Sequence, residues 1–183
     1  MCLYSREYKN VVVKNMADHL IDIVNEKDEV IGSALKSKKS ELGFISRVAV
    51  VFVKDSNGKI IVCKRGPNKK RYPGKYDLTA CGNVEPGETY EQTAKRELTE
   101  ETGIEGLPVM LGKYYCENIH DGIKFKYFVG VFLTTSDQEP KLNEELVLFR
   151  RMSVEEIGKE MKEFPEAFCQ GFMKDFNLVK NKL

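Results

Sequence analysis

The sequence predicts a mixed α/β fold in one domain, with a mixed β-sheet sandwiched between helices. Three observations carry that expectation: apolar segments of strand length joined by turn signals, one capped helix near the middle of the chain, and helical patterns after residue 152. At 183 residues the chain is long enough for a substantial core. Residues 1–18 carry no clear period and are expected to form an N-terminal extension, with residues 19–183 forming the domain.

The elements follow in order. Residues 19–24, the polar run Asn25-Glu26-Lys27-Asp28 and residues 29–33 read as strand, turn and strand. Residues 48–53 (VAVVFV) are continuously apolar, which predicts a strand covered on both faces. Asp55-Ser56-Asn57-Gly58 is a hairpin signal, and residues 59–64 form the returning strand. Residues 64–75 hold Lys64, Arg65, Lys69, Lys70, Arg71 and Lys75 with no acid, broken by Pro67 and Pro73, and predict a loop. Thr89 with Gln92 makes a capping box, and Gly103 a C-terminal stop, for a helix over residues 89–102. Residues 114–118 and 123–133 are expected as strands around His120-Asp121-Gly122. Ser153 with Glu156 caps another helix that ends near Phe164-Pro165, and Phe164, Phe168, Phe172 and Phe176 recur as the core stripe of a last one. Tyr72, Tyr76 and Tyr90 read as a group that stacks on a base or packs internally.

Composition excludes several classes. Twenty-nine Lys and Arg against 28 Asp and Glu leave a net charge of +1, so neither a nucleic-acid partner nor a membrane surface is expected on electrostatic grounds. The longest apolar runs are far short of a membrane span. Arg6 and Glu7 stand where a secretory leader is apolar. The five cysteines are scattered with no CxxC pair, so a zinc site or disulfide framework is not indicated, and a reducing cytoplasm is the expected location.

The chemistry is concentrated in residues 82–104, GNVEPGETYEQTAKRELTEETGI. At roughly 100° per residue, Glu97, Glu100 and Glu101 share one helix face, bordered by Ala94 and Leu98. Carboxylates crowded beside an apolar stripe repel one another and lose hydration. Either local pairs such as Glu91–Lys95 and Arg96–Glu100 relieve that cost, or a hard divalent cation does, Mg²⁺ or Mn²⁺ being suited to carboxylate oxygens.

Gly82, Glu88, Arg96-Glu97-Leu98, Glu100-Glu101, Gly103 and Ile104 resemble the Nudix box, G-x5-E-x7-R-E-U-x-E-E-x-G-U with U aliphatic, at every specified position. The resemblance implies a Nudix fold and hydrolysis of a diphosphate linked to another group. It places Glu97, Glu100 and Glu101 as catalytic, metal-binding acids, one of which, or a hydroxide on the ion, activates water. It adds Gly82 to the metal site and pairs Glu88 with Arg96 as the brace of the box. Arg65 and Lys75 in the basic loop become candidates for holding the phosphates, and a nucleoside-diphosphate-type small molecule is the default substrate. A homodimer is compatible with the family pattern.

Residues 20–164 further resemble the isopentenyl-diphosphate-isomerase-like branch, through LIDIVNEKDEVIGS and YPGKYDLTACGNVEPGE. The isomerases' catalytic cysteine falls on Cys81, expected here as a small buried residue beside the site. Their metal histidines fall on Ser46 and Asn83, and their strand glutamates on Phe125 and Tyr127. The hydrolase box is therefore complete while the isomerase metal site is not. Isomerase chemistry and a non-catalytic nucleotide-binding module stand as the alternatives. Glu144 and Glu145, in an acidic turn before the C-terminal helix, are candidates for an additional acid near the metal. His120 is expected as a turn residue and His19 as the flank of the first strand.

Overall fold

The computed structural model describes residues 18–120 and 122–183, so the extension expected over residues 1–18 lies outside the described residues except for Asp18. The strands β1 (Leu20–Val24) and β2 (Val30–Leu35) form an antiparallel hairpin. In its turn the Asn25 side-chain oxygen Oδ1 accepts from the backbone N–H groups of Lys27 and Glu29 at 2.9 and 3.0 Å. A short helical turn over Lys36–Lys38 runs into α1 (Lys39–Leu42), which stops at Gly43 in the left-handed region at φ 64°. There follow β3 (Ile45–Lys54), β4 (Ile60–Arg65), β5 (Tyr76–Asp77) and β6 (Ala80–Asn83), then α2 (Tyr90–Thr102). The chain is completed by β7 (Val109–His120), β8 (Ile123–Thr135), β9 (Leu146–Met152), α3 (Val154–Glu163) and α4 (Gln170–Val179).

β3 is the axis of the mixed sheet. It pairs in parallel with β8 from Ile45–Lys126 to Lys54–Thr135, and antiparallel with β6 from Val48–Asn83 to Val51–Ala80. β7 extends the sheet beyond β8, and β4 carries β9 and β5. Side chains alternate along β3, so its continuous apolar run serves two cores. Ala49, Val51 and Val53 face Tyr90, Ala94 and Leu98 of α2. Val50 and Phe52 face Ile157 and Met161 of α3 and Phe172 and Phe176 of α4. The sheet is therefore sandwiched between helices, as the sequence predicts.

Both capping boxes form, with Thr89 closing on Gln92 and Ser153 on Glu156, and Gly103 ends α2 at φ 70°. Several expectations need correction. The acidic turn 143–145 precedes the strand β9 rather than a helix, its Asn143 side chain accepting from the N–H groups of Glu145 and Leu146. β9 is obscured in the sequence because Arg150 and Arg151 interrupt the apolar run LVLFRRM before Met152; Arg150 forms a bidentate pair with Glu160 of α3. The phenylalanine stripe loses its first member: Phe164 is 54% exposed, since the chain breaks at Pro165 and restarts as α4. Phe168, Phe172 and Phe176 stack in sequence, with ring centroids 5.5 and 6.0 Å apart, and Phe172 also meets Phe52 at 5.9 Å. Nor are the three tyrosines gathered. Tyr72 and Tyr76 pack on the α3/α4 side of the sheet, whereas Tyr90 lies under α2 with its hydroxyl on Asp28.

Candidate active site

The acidic helix face predicted from spacing is formed by α2, anchored by Ala94 and Leu98, both wholly buried against the sheet. Packing of α2 on β6 brings Glu97 against Gly82, so closely that a Cβ at residue 82 would overlap the Glu97 carboxyl group. Only glycine lets that carboxylate reach the strand backbone. Glu101 accepts the Cys81 N–H at 3.0 Å through Oε2. Glu97 and Glu101 are thus both seated on the β6 backbone, one residue apart along the strand.

Arg96 organises the rest. Its Nε and Nη2 grip the Glu88 carboxylate at 2.7 and 2.9 Å, a bidentate fork, and the Thr93 hydroxyl donates to the same carboxylate at 2.7 Å. The guanidinium holds Glu88 down at about 2, against the opposing push of burial. Arg96 Nη1 reaches Glu97 Oε1 at 2.6 Å and lies 3.7 Å from Glu100 Oε2. The brace of the loop therefore also contacts two of the three clustered acids.

Electrostatics in this corner favour a cation. Burial raises the Glu97 carboxyl, with Arg96 opposing and Glu100 adding to the rise. Burial likewise lifts Glu101 to about 7, with Glu97 and Glu145 pushing it further while the Cys81 N–H and Lys69 pull it back. Among the described residues no three His, Cys, Asp or Glu side chains already converge on one point. Glu97 contacts Arg96 at 2.6 Å and Glu101 the Cys81 amide at 3.0 Å. The all-carboxylate donor set and the glycine cradle fit a hard divalent cation.

The remaining candidates fall in different places. Arg65 is committed to Asp77 at 2.8 Å and to the Arg71 carbonyl at 3.0 Å, so it braces β4 against β5 and the basic loop. Lys75 accepts the Arg65 N–H on its carbonyl at 2.9 Å, and its ammonium lies 5.7 Å from the Tyr72 ring. Lys69 pairs with Glu145 at 2.9 Å, which brings Glu145 within electrostatic reach of Glu101, whereas Glu144 contributes backbone packed on Gly66. Cys81 corrects an expectation: it is exposed, not buried. Its neighbours on β6, Ala80 and Gly82, are buried, and Asp175, Lys39, Glu97 and Glu101 all lie within electrostatic range of its thiol. Cys81 is an exposed residue of β6, a strand that pairs with β3, and with these groups around its thiol it marks the floor of a recess in the sheet face.

A model of the NUDIX domain matches residues 44–170. The chain belongs to the Nudix family. It is similar to the uncharacterized Nudix hydrolase PA4841 of Pseudomonas aeruginosa, 32% identical over 142 residues that cover 77% of this chain and 82% of that protein. It is also similar to the uncharacterized Nudix hydrolase SCO1686 of Streptomyces coelicolor, 38% identical over 92 residues covering 50% of this chain and 51% of that protein. The chain spans about half the length of that relative and of others like it. The solved structure of DR0079 from Deinococcus radiodurans shares the fold, with a TM-score of 0.68 at 24% identity, over 87% of this chain and 98% of that one. Among the described residues no helix is long and apolar enough to cross a membrane.

Around the Nudix box the structure adds residues that the sequence leaves unmarked. Asp175 on α4 is only 2% exposed, with Tyr114 donating to its Oδ1 at 2.7 Å. Burial pushes its carboxyl to about 7; Tyr114 and Lys174 oppose the rise and Asp77 adds to it. Because its folded value lies above its unfolded value near 3.8, the fold favours the protonated acid. Stability from this group is complete below pH 4, falls as pH rises towards about 7, and is flat above. Asp175→Asn keeps an acceptor for Tyr114 without the charge. It is expected to gain about 4 kcal/mol relative to the parent at pH 8 and little at pH 4. Thermal unfolding at the two pH values checks this; an equal shift at both would remove the titration of Asp175 as the cause.

Proposed function

We propose that the chain is a Nudix hydrolase that cleaves the diphosphate linkage of a nucleoside-diphosphate-type small molecule with Mg²⁺ or Mn²⁺, and that residues 19–183 form its catalytic domain. The observation that carries this reading is the seating of Glu97 and Glu101 side by side on the backbone of β6, with Glu97 fitted to Gly82. In this reading Glu97, Glu100 and Glu101, with the backbone at Gly82, hold the ion. When bound, such an ion neutralises charge on the bridging and terminal phosphate oxygens and makes a coordinated water more acidic. Arg96 and Glu88 fix the orientation of the acids before substrate arrives. Glu101, the acid whose ionisation is most resisted, is the proton acceptor for the attacking water. The loop over residues 64–75 supplies positive potential through Lys75, beside Tyr72, while Arg65, paired with Asp77, holds the base of that loop in place.

We also infer a relationship to the isomerase-like branch, from the lead-in over residues 20–33 and the stretch before the box. Ser46, Asn83, Phe125 and Tyr127 stand where isomerase chemistry needs metal ligands and an acid, so proton transfer on a prenyl diphosphate is not assigned. The test is a panel of nucleoside, sugar and prenyl diphosphates with either ion, followed by phosphate or monophosphate release. Metal-dependent release is the expected result. Isomerised product that disappears in Cys81→Ala would assign the isomerase instead, and saturable binding with no product would make the chain a binding module.

A further inference from the structure

The recess floored by Cys81 contains two cations that hydrolysis at the box does not use. Lys39, on α1, is 9% exposed; its Nζ donates to the Ser46 hydroxyl at 2.5 Å and lies 4.8 Å from the centre of the Tyr127 ring. Arg71, on the loop between β4 and β5, lays its guanidinium 4.0 Å from the centre of the Phe125 ring. Phe125 and Tyr127 are alternate residues of β8 and share a face, and Ser46 stands opposite Tyr127 in the parallel register. Two separate loops therefore deliver a lysine and an arginine onto one patch of sheet, beside the exposed Cys81.

That arrangement has no internal logic as a structural brace. A buried ammonium is tolerated when a carboxylate pairs with it, whereas the Lys39 ammonium contacts the Ser46 hydroxyl and the Tyr127 ring, and the Arg71 guanidinium the Phe125 ring. Cation–π contacts of this kind stabilise only modestly, and a neutral hydroxyl adds little more. Against that, the two cations repel one another: burial and then Arg71 push the Lys39 ammonium down to about 7. Filling this corner with an apolar side chain would be cheaper. An anion reverses every one of those terms, since it pairs with Lys39, separates it from Arg71, and accepts the remaining proton of Ser46. The planar fork of Arg71 suits an oxyanion in particular.

We propose that Lys39 and Arg71, with the Ser46 hydroxyl, form a second anion subsite in the Cys81 recess, and that it takes a phosphoryl oxyanion of the substrate. The subsite itself stands on the geometry of these three residues; its ligand belonging to the substrate rests on the proposed hydrolysis at the box. The substrate class narrows accordingly, to diphosphates whose attached group carries a further phosphate or to longer polyphosphate chains.

The test is calorimetric titration of inorganic phosphate into the full chain in EDTA and a chloride-poor buffer, with acetate as the comparison anion. Phosphate is expected to bind more tightly than acetate. Lys39→Met and Arg71→Gln are each expected to weaken it at least tenfold, while Glu101→Gln binds it no more weakly than the parent. In the absence of phosphate, Lys39→Met is expected to unfold at or above the temperature of the parent, because a costly buried cation has gone; Arg71, being exposed, provides a variant free of folding effects. Phosphate binding that both variants leave intact, or acetate binding as tight as phosphate, overturns the subsite. These outcomes are read without turnover, so failure of hydrolysis on every diphosphate would remove the proposed activity and leave the anion subsite standing.

Discussion

Replacing Glu101 by Gln is expected to lower metal-dependent turnover about 10²–10⁴-fold, the range typical for loss of a positioned acid or base. The substitution keeps size and the hydrogen bond from the Cys81 N–H, which an amide oxygen accepts as well as a carboxylate does. What it removes is charge, at a position where burial, Glu97 and Glu145 already resist ionisation. Because burial and the neighbouring acids make the charged form of Glu101 costly, the variant is expected to melt no lower than the parent in EDTA. Loss of turnover with unchanged or raised melting temperature separates a functional acid from a structural one. Steady-state rates with Mg²⁺ and a thermal melt, on the same preparation, give both readouts. A variant that retains parental turnover would strip Glu101 of its role.

Phe172→Ala is expected to cost about 3–5 kcal/mol of folding stability. Phe172 is completely buried, packed between Phe168 and Phe176 and against Phe52 from the strand at the centre of the sheet. Removing its ring empties the seam that holds α4 to β3, and neighbours on a helix and a central strand relax only partly. At about 2–4 °C for each kcal/mol in a domain of this size, the melting temperature is expected to fall by about 10 °C. Chemical denaturation at fixed pH measures the loss; a change under 1 kcal/mol would mean that α4 is not held to the sheet as described.

The readable parts of the sequence were those governed by local rules. The strand at residues 48–53 declared itself because continuous apolarity has one cheap explanation, burial on two faces. The box helix declared both ends through Thr89, Gln92 and Gly103, since capping chemistry acts within one turn. Glu88 and Arg96, which the family resemblance places together, lie 2.7 Å apart. The unreadable parts depend on what other segments bring. β6 is only ACGN, a strand made by its pairing with β3 rather than by its own propensity. Cys81 reads as a compact core residue, and its exposure depends on how the segments around β6 pack, which its own local sequence does not encode. Lys39 sits in the polar run KSKKSE, where a solvated charge is the natural reading, and its burial follows from α1 folding back toward Ser46 and Tyr127. Asp175 likewise reads as the polar face of a helix until Tyr114 on β7 meets it.

The central claim is that the acids of α2 seated on β6 form a cation site, and Mn²⁺ binding followed by electron paramagnetic resonance tests it without any substrate. Titration of the parent is expected to show saturable loss of the free-ion signal, competed by Mg²⁺, with affinity falling at least tenfold in Glu97→Gln and in Glu101→Gln. Equal Mn²⁺ binding by the parent and both variants would contradict it.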